Sequence, residues 1–175
     1  LEAYLKDLEE FEHRLRLRPR LKASRQVAKI MSVISTIGFH TELVDLGPKA
    51  GMGLRATNKP DAEKYDIMFN AHLDTVFPEG TVAERRFKIE GDRVMGPAAP
   101  LKAGVIAIFH ALKMARKEDL DRLAILVCYN PDEEVSSVSS RGWLIEQAKT
   151  RQDAIVCEPG RANGSFVRSR KAAAF

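Results

Sequence analysis

The chain has 175 residues, 45% of them hydrophobic and 30% charged, with a formal charge of +4. That is enough length for one domain with a sizeable core, and the composition is that of an ordinary globular protein. No apolar run approaches the roughly 20 residues that a membrane span requires, and the start, LEAYLKD, is amphipathic and charged rather than a signal peptide. Cys128 and Cys157 both lie in apolar segments. A reduced cytoplasmic protein with buried thiols is the simplest reading, and a single disulfide is the alternative.

Leu1, Tyr4, Leu5, Leu8 and Phe11 recur at helical spacing and predict a helix over 2–12. The basic run HRLRLRPRLK (13–22) follows. Its charge could attract phosphates or acidic lipid, but it has no interleaved aromatics to stack on bases, so it reads as a solvated linker and no nucleic-acid partner is expected. A second helix is predicted from Ser24, as N-cap, to Ile37, with Gly38 as its stop. Strands are predicted over 40–46 and 52–57, with a turn at Lys59-Pro60-Asp61.

Residues 65–71 form a short, nearly continuous apolar strand of the kind found inside a covered sheet. Residues 87–95 read as a hairpin turning at Glu90-Gly91-Asp92. A helix over 102–116, a buried strand over 123–129, a helix from Ser139 or Ser140 to Lys149 and strands over 154–157 and 164–168 complete the pattern. Strands alternate with helices, which argues for an α/β fold, a three-layer α/β/α domain with a mostly parallel mixed sheet.

In open α/β sheets, function collects at the carboxyl ends of the strands. Three strands here end on imidazole or acid: the first on His72 and Asp74, the second on Pro131-Asp132-Glu133-Glu134, the third on Glu158 before Pro159. Each alone has a plainer role, as a hydrogen-bonded histidine, a solvated acidic turn or a loop residue. Three together point to a cation. Zinc accepts imidazole nitrogen and carboxylate oxygen, and a ligating histidine usually leans on a carboxylate that fixes its tautomer. Asp74 stands two residues beyond His72 and could do this. Adjacent Glu133 and Glu134 offer one carboxylate for a metal and one for a water.

The chain resembles the zinc aminoacyl-hydrolase family that includes glutamate carboxypeptidase, tripeptidase (peptidase T), acetylornithine deacetylase, succinyl-diaminopimelate desuccinylase and aminoacylase. The resemblance is carried by AHLDTVFP (71–78), FKIEGDRVMGP (87–97), LKAGVIAIFHALK (101–113), NPDEEVSSVSSRGWLIEQAK (130–149) and CEPGRANGSFVRSRK (157–171), and the glutamate carboxypeptidase branch looks nearest. It implies that His72 binds one zinc with Asp74 behind it, that Glu134 binds a second zinc, that Glu158 joins His72, and that Glu133 is the general base. The implied reaction is hydrolysis of an amide next to a free carboxylate through a metal-held hydroxide, on a small peptide or N-acyl amino acid. Cobalt or manganese could occupy the same ligands.

Two departures qualify the resemblance. Where the family has Gly-Pro-Gly-x-x-Asp-Met-Lys, this chain reads GPAAPLK (96–102), without the aspartate that bridges the two metals. One zinc or none is then expected. The family's lid or dimerisation domain and its returning half, with a last zinc histidine, do not follow by Phe175, so 1–175 reads as a partial catalytic domain. An exposed sheet edge and pairing into a homodimer are expected from that. The alternative reading is a degenerate, non-catalytic domain of the same fold that binds a peptide or partner chain.

Overall fold

The computed structural model describes residues 1–13, 30–78, 81–97 and 99–158. In chain order these give helix α1 (Glu2–His13), helical residues 30–35 (α2), strands β1 (His40–Asp45), β2 (Met52–Thr57) and β3 (Tyr65–His72), and a one-turn helix α3 (Thr81–Glu84). The hairpin β4 (Lys88–Glu90) and β5 (Arg93–Met95) follows, then helices α4 (Ala99–Met114) and α5 (Lys117–Arg122) and strand β6 (Ile125–Asn130). A 3-10 turn at Glu133–Val135, helix α6 (Arg141–Lys149) and strand β7 (Arg151–Val156) complete the described chain. None of its helices is long and apolar enough to cross a membrane.

The main sheet has the order β1-β2-β6-β3-β7. Strands β3, β6 and β7 are mutually parallel, and β2 runs against both β6 and β1. Four strands therefore share one direction, giving the expected mixed sheet. All six residues of β6 are buried, because it is the central strand and is covered on both faces.

Alternation of side chains divides the core in two. Ala71, Ile125, Val127 and Tyr129 pack with Ile30 and Ile34 of α2 and with Val105, Phe109 and Leu112 of α4. Met68, Leu126 and Cys128 pack on the opposite face with Trp143 and Leu144 of α6. These are the two outer helical layers. Cys128 and Cys157 are free, and they join opposite clusters, so the sheet stands between them.

The topology explains which helix lies where. The connection from β3 to β6 steps one way along the sheet, and that from β6 to β7 steps back past β3. Parallel crossovers of one hand, taken in opposite directions, must lie on opposite faces. α4 and α6 do so, which makes the ends of β3 and β6 the switch point at which open α/β sheets place their crevice.

Several boundaries differ from the sequence reading. α3 and α5, with four and six residues, are too short to show a period. The helix expected over 102–116 begins at Ala99, with Pro100 in its first turn where a missing N–H costs nothing. It ends at Met114, after the apolar stripe runs out at Leu112. β6 is shifted from 123–129 to 125–130, because Asp66 and Asn58 side chains take up the N–H groups of Ala124 and Ile125 at its entry. β7 starts three residues early, because pairing of Arg151 with Tyr65 extends the backbone ladder through an exposed, polar stretch. The basic segment beyond His13, the proposed cap Ser24 and the strand expected over 164–168 lie outside the described residues.

His110, within α4, is structural: its Nε2 lies 2.9 Å from Asp7 Oδ2 of α1. Gly104 of α4 has a sharper role. A Cβ there would lie 2.4 Å from the backbone oxygen of Cys157, the residue before Glu158. Gly104→Ala gains helix propensity but must push α4 and the end of β7 apart. It is expected to destabilise the domain by about 1–2 kcal/mol; an unchanged or raised melting temperature would show that this contact gives way freely.

Candidate metal centre

His72 is the last residue of β3 and is buried, 2% exposed. Sheet register sets what surrounds it. His72 is level with Asn130 of β6, and Asn70 is level with Val156 of β7, which carries Glu158 two residues on to the height of His72. Leu73 N–H continues the ladder to Asn130 C=O at 2.8 Å, and Cys157 N–H does the same to Asn70 C=O at 2.8 Å. Three chain segments are thus locked by backbone bonds at the point where they turn into the crevice.

Asp74 ties them together. His72 Nδ1 donates to Asp74 Oδ1 at 3.0 Å. The same carboxylate accepts the N–H of Glu133 at 3.1 Å and of Glu134 at 2.9 Å. With its Nδ1 proton held by a carboxylate, the histidine turns Nε2 outward. That Nε2 is buried and has no hydrogen-bond partner among the described residues. It faces Glu158 Oε2 at 3.5 Å and Glu133 Oε2 at 3.9 Å.

One ligand atom from each of His72, Glu133 and Glu134 falls within 4.8 Å of the others. Imidazole nitrogen and carboxylate oxygen are donors suited to zinc, so these residues fit one divalent cation. Glu158 adds a fourth group beside Nε2. The segment GPAAPLK contains no carboxylate for a second one.

The electrostatics follow from crowding acids around one ring. Burial alone would lower the pKa of His72, but the hydrogen bond to Asp74 and the nearby carboxylates of Glu158 and Asp74 outweigh it and raise it to about 10. Burial likewise opposes the charge on Asp74, and the bonds from His72 and Glu134 N–H hold its carboxyl below the usual range. Glu133 is shifted upward by partial burial and by Glu158, Glu134 and Asp74, against the pull of His72. Its side chain is 48% exposed, the most open of the group measured against His72.

Other residues also support the site. Asn70 Nδ2 donates to Cys128 C=O at 2.9 Å and to Asn130 Oδ1 at 3.2 Å, so an amide pair joins the two strands just beneath His72. Lys102, 1% exposed, reaches from α4 to the C=O of Leu73. Asn70 and Asn130 could have been picked out as polar residues near the ends of buried strands. Lys102 matches the last residue of the family's Gly-Pro-Gly-x-x-Asp-Met-Lys segment, but only the packing of α4 shows that it reaches the end of β3.

Imidazole and carboxylates converging at the switch point of an α/β sheet define a domain of the metallohydrolase type. The chain belongs to Peptidase family M20/M25/M40, which it matches over residues 68–169, in agreement with the resemblance carried by its motifs. Carboxypeptidase G2 of Pseudomonas sp. (strain RS-16) is 35% identical over 96 residues, 54% of this chain and 23% of that protein, so the chain spans well under half of that relative's length. Human carnosine dipeptidase 1 superposes with a TM-score of 0.70 at 17% identity, over 90% of this chain and 38% of its own. The metallo-carboxypeptidase Sso-CP2 from Sulfolobus solfataricus gives 0.62 at 18% identity, over 94% of this chain and 39% of its own. Aminopeptidase PepT from Bacillus cereus gives 0.63 at 17%, over 89% and 43%. At these identities the structural likeness is one of fold.

Asp74→Ala removes the acceptor of three hydrogen bonds and is expected to cost about 2–4 kcal/mol in urea denaturation; a loss below about 1 kcal/mol would mean the acidic turn is held by other groups. The pH dependence has a definite sign. The folded-state pKa of His72 lies above its ordinary 6.5, so its protonation stabilises the metal-free fold fully below pH 6.5, and this is lost as pH rises through about 10. The depressed Asp74 contributes stability above the ordinary carboxylate range that is lost as pH falls through its folded-state pKa. A urea midpoint that stays level from pH 6.5 to 10 would rule out the His72 ion pair.

Proposed function

We propose that the chain carries part of the active site of a metal-dependent amide hydrolase, a peptidase or N-acyl-amino-acid deacylase that cuts next to a free carboxylate. One observation carries the reading: a buried imidazole nitrogen, His72 Nε2, without a hydrogen-bond partner among the described residues and facing carboxylates at 3.5 and 3.9 Å. His72 and Glu134 would hold a zinc ion, with Glu158 beside it, and cobalt or manganese would suit the same donors. When bound, such a cation polarises the amide carbonyl and acidifies a water.

The chain's own residues do the rest. Asp74 keeps the proton on Nδ1, so that when a cation displaces the proton on Nε2 this nitrogen offers its lone pair. Glu133, the more open acid with a raised pKa, is suited to take a proton from water and return it to the leaving amine. The names of the relatives, a carboxypeptidase and a dipeptidase, support a short peptide with a free carboxylate as substrate. A reducing, cytoplasmic setting is supported by the two free thiols, with burial pushing Cys128 up to about 12. Self-association is supported by the edge strand β7, where Ile155 and Val156 are exposed.

A second reading, a binding domain without catalysis, is favoured by the absence of an aspartate from GPAAPLK. Metal content and hydrolysis separate the two. The protein is expected to hold close to one zinc per chain, to release amine from dipeptides or N-acyl amino acids, to lose that activity in chelator and to regain it with zinc. Bound zinc without hydrolysis would favour the binding domain. Glu133→Ala is expected to reduce hydrolysis by about a hundredfold or more with metal content unchanged. A parallel loss of metal would move Glu133 from base to ligand.

A further inference from the structure

Asp132 has no chemical role in the reading above, yet it is the acid buried at the site, 4% exposed. Its Oδ2 accepts the N–H of Ser139 at 2.8 Å and of Ser140 at 3.2 Å. Its own C=O accepts the N–H of Ser137 at 2.7 Å. One residue therefore closes 132–140 into a ring, using both its side chain and its backbone.

The ring is not a relaxed one. Ser136 and Ser137 have φ of 67° and 50°, the left-handed region that non-glycine residues rarely occupy. Such conformations persist only where the surroundings over-determine them. Asp132 Oδ1 is moreover buried with no hydrogen-bond partner among the described residues, and a buried acid is costly when incompletely paired. Helix capping does not account for this: the N–H groups that Asp132 accepts belong to Ser139 and Ser140, which precede α6, and Ser140 at the cap position makes no side-chain cap bond. Inside the ring lie Glu133 and Glu134, whose N–H groups both point at Asp74.

We propose that Asp132 is a positioning residue for the acid pair: by closing the ring it aims Glu133 and Glu134 at His72 and so sets how tightly the centre takes a divalent cation. The effect on cation affinity rests on the metal-centre reading; the effect on geometry does not. The test uses zinc titration calorimetry and amide hydrogen exchange on the full chain and two variants.

Asp132→Ala is expected to weaken zinc binding about tenfold or more and to speed exchange of the Glu133 and Glu134 amides by a similar factor. Asp132→Asn keeps one neutral acceptor and is expected to lose only about threefold in each, and it carries the test if the alanine variant does not fold. Faster exchange at Ser139 and Ser140 alone, with the Glu133 and Glu134 amides and zinc affinity unchanged, would reduce Asp132 to a helix cap and overturn the proposal. A wild-type chain that binds no zinc would remove the metal-centre reading, while a response of the Glu133 and Glu134 amides to the substitution would still establish the positioning role, and no response would overturn it.

Discussion

The carboxylate of Asp74 is the joint on which the candidate site depends. It takes a proton-bearing nitrogen from its own strand end and two backbone N–H groups from the turn after β6. Hydrogen bonds to a charged acceptor are the stronger kind, and here they are made at the mouth of a sheet rather than in open water. Their joint effect is geometric. They fix the ring of His72 and, with the same atoms, bring two glutamates to its free nitrogen. Neither group could be placed precisely by its own element, because one ends a strand and the other lies in an irregular turn.

The sheet supplies the frame that makes this joint useful. β6 is buried along its whole length, and β3 lies beside it, level residue by residue from Ile67 to His72. A slip of one residue would turn His72 to the other face. The slip is opposed by apolar packing on both sides and by the amide pair Asn70–Asn130, which bridges the strands just below the histidine. Close approach of α4 at Gly104 holds the third strand end, so Glu158 arrives at the same height.

Packing several acids around one imidazole is unfavourable unless positive charge balances them. In the structure the histidine supplies it, with a pKa raised to about 10. A divalent cation would supply more and would compete with the proton for the same nitrogen. Membership of the M20/M25/M40 peptidases agrees with that exchange. Among the described residues His72, Glu133 and Glu134 bring one ligand atom each within 4.8 Å of one another, a grouping that could hold a cation.

By itself the sequence determined the alternation of strands and helices, the buried character of β3 and β6, and the polar ends at which His72, Asp74, Glu133, Glu134 and Glu158 stand. These are local properties: a run of apolar residues needs cover, and a charge at its end needs water or a partner. The sequence could not determine that β6 rather than β3 is central, that β7 begins at Arg151, or that Lys102 lies beneath Leu73, since each depends on what a neighbouring strand or helix offers. Nor could it show that one carboxylate, Asp74, holds both the histidine and the acidic turn, or that Asp132 closes that turn. Those bonds join residues about sixty apart in the case of Asp74 and pass through two left-handed serines in the case of Asp132. Only the tertiary structure decides them, because backbone N–H groups carry no signature in the sequence until the fold says which of them face a charge.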